Sequence, residues 1–73
     1  MTNHKPKKRS VTVSGHRTSV SIENEFWREF IFIAKRKKIS VNRLISNLDH
    51  SRERNLSSAI RVFVLNEIKK FDQ

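Results

Sequence analysis

The chain is 73 residues long and contains no cysteine, and this combination limits how it can become stable. A single core in a chain below about 70–80 residues rarely contributes more than ~3–5 kcal/mol, so such small domains need an additional constraint. Without cysteine, neither a disulfide nor a thiolate-bound zinc ion is available. The three histidines, His4, His16 and His50, lack the spacing of a metal site. We therefore expect an obligate homo-oligomer, most simply a two-fold dimer.

Composition narrows the classes of function. The formal charge is +9, from 16 Lys and Arg against 7 Asp and Glu, which favours nucleic acid as a partner. No apolar run approaches the ~18 residues of a membrane span, and no apolar stretch follows the basic N-terminus, so we expect a cytoplasmic protein rather than a secreted one. One glycine and nine serines form no phosphate-binding loop and no catalytic arrangement. The chain is not expected to be an enzyme, and no cofactor or metal is implied.

Residues 1–9 contain four basic and no acidic residues. Pro6 interrupts the run, so this segment is interpreted as a disordered basic arm. Lys7, Lys8 and Arg9 are candidates for contacts with DNA phosphates, because the rest of the chain is also basic. The alternative is a tail that serves only solubility. The folded domain is expected over residues 10–71.

Residues 10–22 have the alternation of β-strands, with apolar side chains at every second position in each half. Gly15-His16 suits a two-residue type II′ turn, and this register places Val11 opposite Val20. One face of the hairpin is then apolar and the other polar. The apolar face is predicted to contain Val11, Val13, Thr18, Val20 and Ile22, and the polar face Thr12, Ser14, Arg17, Ser19 and Ser21. The alternative is one strand over residues 17–22 preceded by a mobile segment.

A first helix is predicted over residues 24–37. Acidic residues stand at its beginning and basic residues at its end, which suits the helix dipole. Apolar side chains recur at positions i, i+4, i+7 and i+8, which is the stripe of an amphipathic helix. The stripe consists of Phe26, Phe30, Ile33 and Ala34. These aromatic residues are expected to pack in the core rather than stack on bases.

Two further helical segments follow. Ser40 is expected to cap the second helix, since its hydroxyl can accept a backbone N–H from the first turn. The third segment lies within residues 55–71, and Ser57 could cap it. Its run Val62–Leu65 alone is compatible with a strand, but the spacing over the whole segment favours a helix buried on most sides. The predicted fold class is α+β, mostly α: a short N-terminal strand, or a hairpin, followed by three helices.

The chain resembles the ribbon-helix-helix DNA-binding proteins of the MetJ/Arc type. The resemblance extends over roughly residues 9–68 and rests on segments 17–27, 39–44 and 55–61. Gly15–Ser21 together with Asn55–Ala59 points more specifically to a small bacterial branch with a third helix. The resemblance implies an intertwined homodimer in which two chains pair their strands into an antiparallel ribbon that enters the major groove of double-stranded DNA.

The same resemblance implies the residues that contact DNA. Alternate strand residues read bases, and here they are Arg17, Ser19 and Ser21, while Thr18 and the apolar residues beyond it face inward. Many relatives carry a long polar side chain where this chain has Ser21. Serine has a short reach and bonds to several bases, so Arg17 is the only strand side chain able to contact guanine with two hydrogen bonds.

The start of the second helix commonly holds a DNA phosphate in this superfamily. In this chain that turn is Ser40, Val41 and Asn42, with Arg43 adjacent. The free N–H groups and the positive end of the helix dipole suit an anion there.

A four-stranded sheet would result if each chain of the dimer contributed a hairpin. At ~4.8 Å between strands, its outer backbones would lie about 14 Å apart, which fits a groove of ~12 Å badly. The hairpin and the intermolecular ribbon therefore compete as predictions.

The leading hypothesis is a transcriptional regulator that binds DNA as a homodimer, and the third helix is a candidate surface for higher assembly. One alternative is an antitoxin, with a toxin or another protein partner bound through residues 56–71. Its basic, apolar C-terminus argues mildly against that. Another alternative is a dimeric interaction module that no longer binds DNA.

Overall fold

The chain forms a two-stranded antiparallel hairpin followed by three helices, as the sequence predicts. A computed structural model describes residues 5–51 and 55–71. The strands are β1 (Lys7–Val13) and β2 (His16–Ile22), and the helices are α1 (Asn24–Lys37), α2 (Val41–Ser51) and α3 (Leu56–Phe71). The homodimer stays a prediction.

The hairpin is longer than the sequence indicates. Strand β1 begins at Lys7, which pairs with Ile22, so the last three residues of the predicted arm belong to the sheet. The physical reason is that β2 offers a partner to each of seven residues, and pairing satisfies backbone groups that an arm would leave to water. Residues 1–4 of the predicted arm lie outside the described residues.

The turn of the hairpin lies one residue earlier than predicted. Ser14 (φ 50°) and Gly15 (φ 84°) form the loop, and Val13 pairs with His16. Positive φ at both loop residues is the type I′ turn, whose twist matches the flanking strands, rather than the predicted type II′ turn. The pairing therefore shifts by two residues, so that Val11 faces Thr18 and not Val20. Because side chains alternate with a period of two, this shift leaves the predicted faces unchanged.

Helix α1 has the predicted bounds. It is terminated by the next residue, Lys38, which adopts a left-handed conformation (φ 60°). The N–H of Ile39 donates to the carbonyl oxygen of Ala34 at 3.1 Å, which is the long hydrogen bond of a Schellman motif. This ending turns the chain sharply into α2.

Side-chain caps begin the other two helices. The hydroxyl of Ser40 accepts the N–H of Arg43 at 3.1 Å, which confirms the predicted cap of α2. In α3, the Asn55 side-chain oxygen accepts the N–H of Ser58 at 2.8 Å. The cap of α3 is therefore Asn55 and not Ser57, because the helix begins two residues earlier than a Ser57 cap would allow.

The inward face of the hairpin and one face of each helix form the core. Phe30 lies at its centre with no exposed surface, stacked on Trp27 (ring centroids 5.7 Å) and edge-on to Phe63 (5.9 Å). The predicted stripe of α1 faces this core. The buried apolar residues are Val11, Val13, Val20, Ile22, Phe30, Ile33, Ala34, Leu44, Ile45, Leu56, Ile60 and Val64. One chain thus buries these residues without a partner chain.

Helix α3 is buried on one face only. Ile60 and Val64 are fully buried, whereas Val62, Leu65 and Ile68 are 42%, 49% and 36% exposed. The helix assignment is confirmed, but the prediction that α3 is buried on most sides is wrong. Helix α3 packs on the core with one face, and no other described element of the chain covers its opposite face, which is therefore exposed to solvent.

Candidate nucleic-acid interface

The polar face of the hairpin is turned away from the core. It carries six side chains at alternate positions of the two strands, and we call this set the outward face. It consists of Lys8, Ser10, Thr12, Arg17, Ser19 and Ser21. All are exposed except Thr12, which is half-buried. The face is basic and hydroxylic and contains no acidic residue.

The three predicted base-contacting residues lie together on this surface. Arg17 stands at one end beside Thr12, Ser19 pairs with Ser10 in the middle, and Ser21 pairs with Lys8. Thr18 lies on the opposite, inward face as predicted, but it remains exposed because it stands near the tip of the hairpin.

The beginning of α2 lies against the edge of β1. The N–H of Thr12 donates to the Asn42 side-chain oxygen at 3.2 Å, and the N–H of Ser14 donates to the Ser46 hydroxyl at 3.1 Å. Together with Arg17, Asn42 lines a shallow cleft of about 80 Å³ at this edge. The structure therefore brings the predicted phosphate-binding turn next to the predicted base-reading residue.

The four predicted residues of that turn have different surroundings. Ser40 is exposed and caps the helix, and Val41 is half-buried against the core. Asn42 and Arg43 are exposed. Since the first N–H groups of any helix lack partners within the helix, the turn presents donors and one cation on the side of the ribbon.

The three basic residues predicted for phosphate contact separate into two kinds. Lys7 and Lys8 are exposed. Arg9 is half-buried: its guanidinium donates to Asn24 Oδ1 (2.6 Å) and to the carbonyl oxygen of Ile22 (3.2 Å), and it lies 5.0 Å from the ring centroid of Trp27. Arg9 points to the inward side of the hairpin, so its guanidinium is engaged within the protein.

The beginning of α3 lies against the edge of β2. The N–H of Ser21 donates to the Ser57 hydroxyl at 3.0 Å, and Arg61 donates to the carbonyl oxygen of Ser21 at 2.9 Å. Arg61 also forms an ion pair with Glu23 (Nε–Oε1 2.9 Å), and its hydrogen bond lowers the pKa of that carboxyl. Each edge of the hairpin is thus contacted by the first turns of a helix.

A second carboxylate ties the ends of two helices together away from the outward face. Glu67 is 5% exposed and bonds to Lys70 (3.0 Å) and Lys37 (3.4 Å). The hydrogen bond from Lys70 is the main cause that lowers the pKa of Glu67, against burial, which raises it. Both Glu23 and Glu67 are therefore charged at neutral pH and balanced by cations of the same chain.

Other kinds of site find little support. Residues 5–51 and 55–71 contain no cluster of His, Asp and Glu side chains that could hold a metal ion. No helix of the described chain is long and apolar enough to cross a membrane.

A family model described as a ribbon-helix-helix domain matches residues 6–68. The chain belongs to the ribbon-helix-helix family. This confirms the resemblance read from the sequence, and the family is one of DNA-binding, regulator-like domains rather than enzymes. No curated protein and no solved structure matches the chain at a significant level.

Sequence reasoning missed half of the outward face. It assigned Lys8 to an arm, named Ser10 only as the first residue of the strand region, and gave Thr12 no role in binding. A signal was present in the sequence, because residues 8–13 and 17–22 share the order of basic, hydroxylic and apolar residues at every position except the second, which is Arg9 in one and Thr18 in the other. That repeat identifies two strands of one ribbon.

Proposed function

We propose that this ribbon-helix-helix protein binds double-stranded DNA through the outward face of its hairpin and regulates transcription. The observation that carries the proposal is the contrast between the two faces of one hairpin. Val20 and Ile22 are 2% and 0% exposed on the inward face, whereas the outward face is solvent-exposed and basic. On a chain of charge +9, an exposed basic face of this kind favours binding to a polyanion.

Base contacts are assigned to the outward face. Arg17 can bind the O6 and N7 atoms of guanine with two hydrogen bonds, and the hydroxyls of Ser19 and Ser21 can bond to several bases. Sequence preference is therefore expected to depend mainly on Arg17, with the remainder coming from DNA shape.

Phosphate contacts are assigned to the flanks of the hairpin. The cap and first residues of α2, residues 40–42, offer N–H donors, and Arg43 adds a cation. Lys7 is exposed at the far end of β1, on the side of the hairpin opposite Lys8, and is proposed to reach a phosphate from that end. If about six phosphates are neutralised, log K should fall with log salt at a slope of about −5.

The protein is proposed to act as a homodimer. The support is the outer side of α3, where Val62, Leu65 and Ile68 expose apolar surface that one chain leaves uncovered. Two copies packed through this surface would bury it. The comparisons give no support to a toxin partner, and the predicted cytoplasmic location follows from a role on DNA.

The test is binding of fluorescent duplex DNA over a salt series, with the mass in solution measured alongside. We expect binding with a steep negative salt slope, followed by enrichment of a preferred sequence from a random pool. Arg17→Ala should weaken binding to that sequence about 5- to 150-fold, whereas Arg28→Ala, an exposed arginine on α1, should change it less than twofold. A protein without affinity for any duplex at low salt is instead a dimeric interaction module.

A further inference from the structure

The hairpin of a single chain has the internal symmetry of a ribbon made from two chains. The pair Ser10 and Ser19 lies at its centre. A two-fold axis through that pair places each residue of β1 on the residue nine positions later in β2. The superimposed outward residues are Lys8 with Arg17, Ser10 with Ser19, and Thr12 with Ser21, and the inward ones are Val11 with Val20 and Val13 with Ile22.

The flanking helices follow the same symmetry. Thr12 and Ser21 are equivalent positions, and the N–H of each donates to the second residue of a helix, Asn42 in α2 and Ser57 in α3. Each helix is capped by the residue two positions earlier. Helix α3 thus stands to β2 as α2 stands to β1, although the two helices follow each other in one chain.

These contacts occupy part of each strand edge, beside the first turns of α2 and α3. An unpaired edge is a template for pairing with another chain. Here the β1 edge is occupied at Thr12 and Ser14, and the β2 edge is occupied at Ser21 through both its N–H and its carbonyl oxygen. A ribbon formed between two chains along the β2 edge would have to release Ser57 and Arg61 if its pairing included Ser21.

From this symmetry we infer that one chain carries the complete DNA-reading ribbon, with β1 in the place of a partner's strand. The inference rests on the proposed function. It adds Lys8, Ser10 and Thr12 to the base-contacting set, so that a second long cation lies at the opposite end of the face from Arg17. Lys8 pairs with Ser21, and its long side chain can extend to a base edge that the short serine side chain does not reach. A dimer then joins two complete ribbons.

Groove width supports this arrangement. Two strands lie ~4.8 Å apart, and a two-stranded ribbon fits a major groove of about 12 Å. Pairing two hairpins edge to edge would give the four-stranded sheet of about 14 Å between outer backbones that fits poorly. The ribbon of one chain removes this conflict.

Cysteine substitution tests how the ribbon is built, because the chain has no cysteine of its own. The outward N–H groups of Thr12 and Ser21 show that Ser10 and Ser19 form a non-hydrogen-bonded pair, for which Cα atoms lie about 4.5 Å apart, close enough for a disulfide. Ser10→Cys with Ser19→Cys should oxidise within one chain. Ser19→Cys alone should form interchain disulfide no faster than Glu29→Cys, an exposed control on α1. Rapid interchain linkage of Ser19→Cys alone would overturn the inference.

The DNA arm of the test uses the preferred duplex and a random duplex. Lys8→Ala should weaken binding to the preferred duplex about 5- to 100-fold and reduce its discrimination from random DNA, while Lys69→Ala, an exposed lysine on α3, should change neither more than twofold. Equal weakening on both duplexes would make Lys8 a phosphate contact and overturn its role in reading bases. Failure of the unsubstituted protein to bind either duplex would overturn the proposed function itself, and the disulfide arm would still report how the ribbon is built.

Discussion

Arg61 of α3 and Glu23, the residue between β2 and α1, form an ion pair in which Nε and Oε1 lie 2.9 Å apart. The same guanidinium donates to the carbonyl oxygen of Ser21 at the end of β2. One side chain therefore fixes α3 to the point at which the ribbon passes into the first helix. The predicted third helix is thus part of the structure that holds the ribbon, and not only an added surface.

Stability should depend on pH through Glu23 and Glu67. The pKa of each carboxyl lies below its ordinary value of 4.5, owing to hydrogen bonds from Arg61 and Lys70 respectively. A lowered folded-state pKa stabilises the fold above the unfolded pKa, and this stabilisation is lost as pH falls through the folded value. Urea unfolding should show a nearly constant free energy from pH 7 to about 5 and a decline below about 4.5.

Glu67→Gln isolates the more buried of these two groups. Loss of its charge-assisted bonds to Lys70 and Lys37 should lower the free energy of unfolding by about 1–2 kcal/mol at pH 7 and flatten the decline in acid. Glu29→Gln, on the exposed side of α1, is the control and should leave the pH profile unchanged. An unaltered acid slope in Glu67→Gln would show that the carboxylate has no such role.

Lys38→Gly should stabilise the protein. Lys38 has φ 60° at the end of α1, a conformation that costs a residue with a Cβ about 1–2 kcal/mol. Glycine removes this cost but loses more entropy on folding, which leaves a net gain of about 0.5–1 kcal/mol. Thermal and urea unfolding measure it. Lys35→Gly, within the helix, should instead destabilise by about 1 kcal/mol, and a loss of stability in both variants would contradict the prediction.

Much of the fold could be predicted because local signals and tertiary packing agree. Ser40 begins α2 as its hydroxyl indicates, and the alternation of the strands sorts the faces of the hairpin correctly. The predicted turn lies one residue too late because Gly15 satisfies either type of turn. Ser14 has φ 50°, as a type I′ turn requires, and such a turn matches the twist of the flanking strands, which the alternation of residue types does not show.

The candidate site was predictable only where a pattern in one segment was sufficient. Arg17 could be placed on the polar face from alternation alone. The partial burial of the Arg9 guanidinium could not be predicted in this way. Its partners Asn24 and Trp27 lie 15 and 18 residues later and contact it only when the hairpin packs on α1. The exposed side of α3 was misjudged for a similar reason. An apolar run such as Val62–Leu65 does not show on how many sides other elements of the chain pack against it.

Arg9 and Lys7 should respond differently to loss of charge. Arg9→Ala removes hydrogen bonds to Ile22 and Asn24 and the contact with Trp27, so we expect about 1–2 kcal/mol less stability. The salt slope of DNA binding should not change, because its guanidinium is engaged within the protein. Lys7→Ala should leave stability within about 0.5 kcal/mol and make the slope less negative by about 0.9. If Arg9→Ala changed the salt slope and Lys7→Ala did not, Arg9 and not Lys7 would be the phosphate contact.

The outer side of α3 should control self-association without affecting the fold of one chain. Leu65 is 49% exposed, and Leu65→Gln removes apolar surface from the middle of the stripe formed with Val62 and Ile68. We expect the unfolding free energy, measured at a dilution at which the unsubstituted protein is monomeric, to stay within about 0.5 kcal/mol. Sedimentation should show a weaker dimer, whereas Asn66→Gln on the same helix should leave the dimer intact. Ser19→Pro blocks the β2 edge and leaves Ser57 and Arg61 unchanged. If the dimer persisted in Leu65→Gln but was lost in Ser19→Pro, the dimer interface would lie on the strands instead.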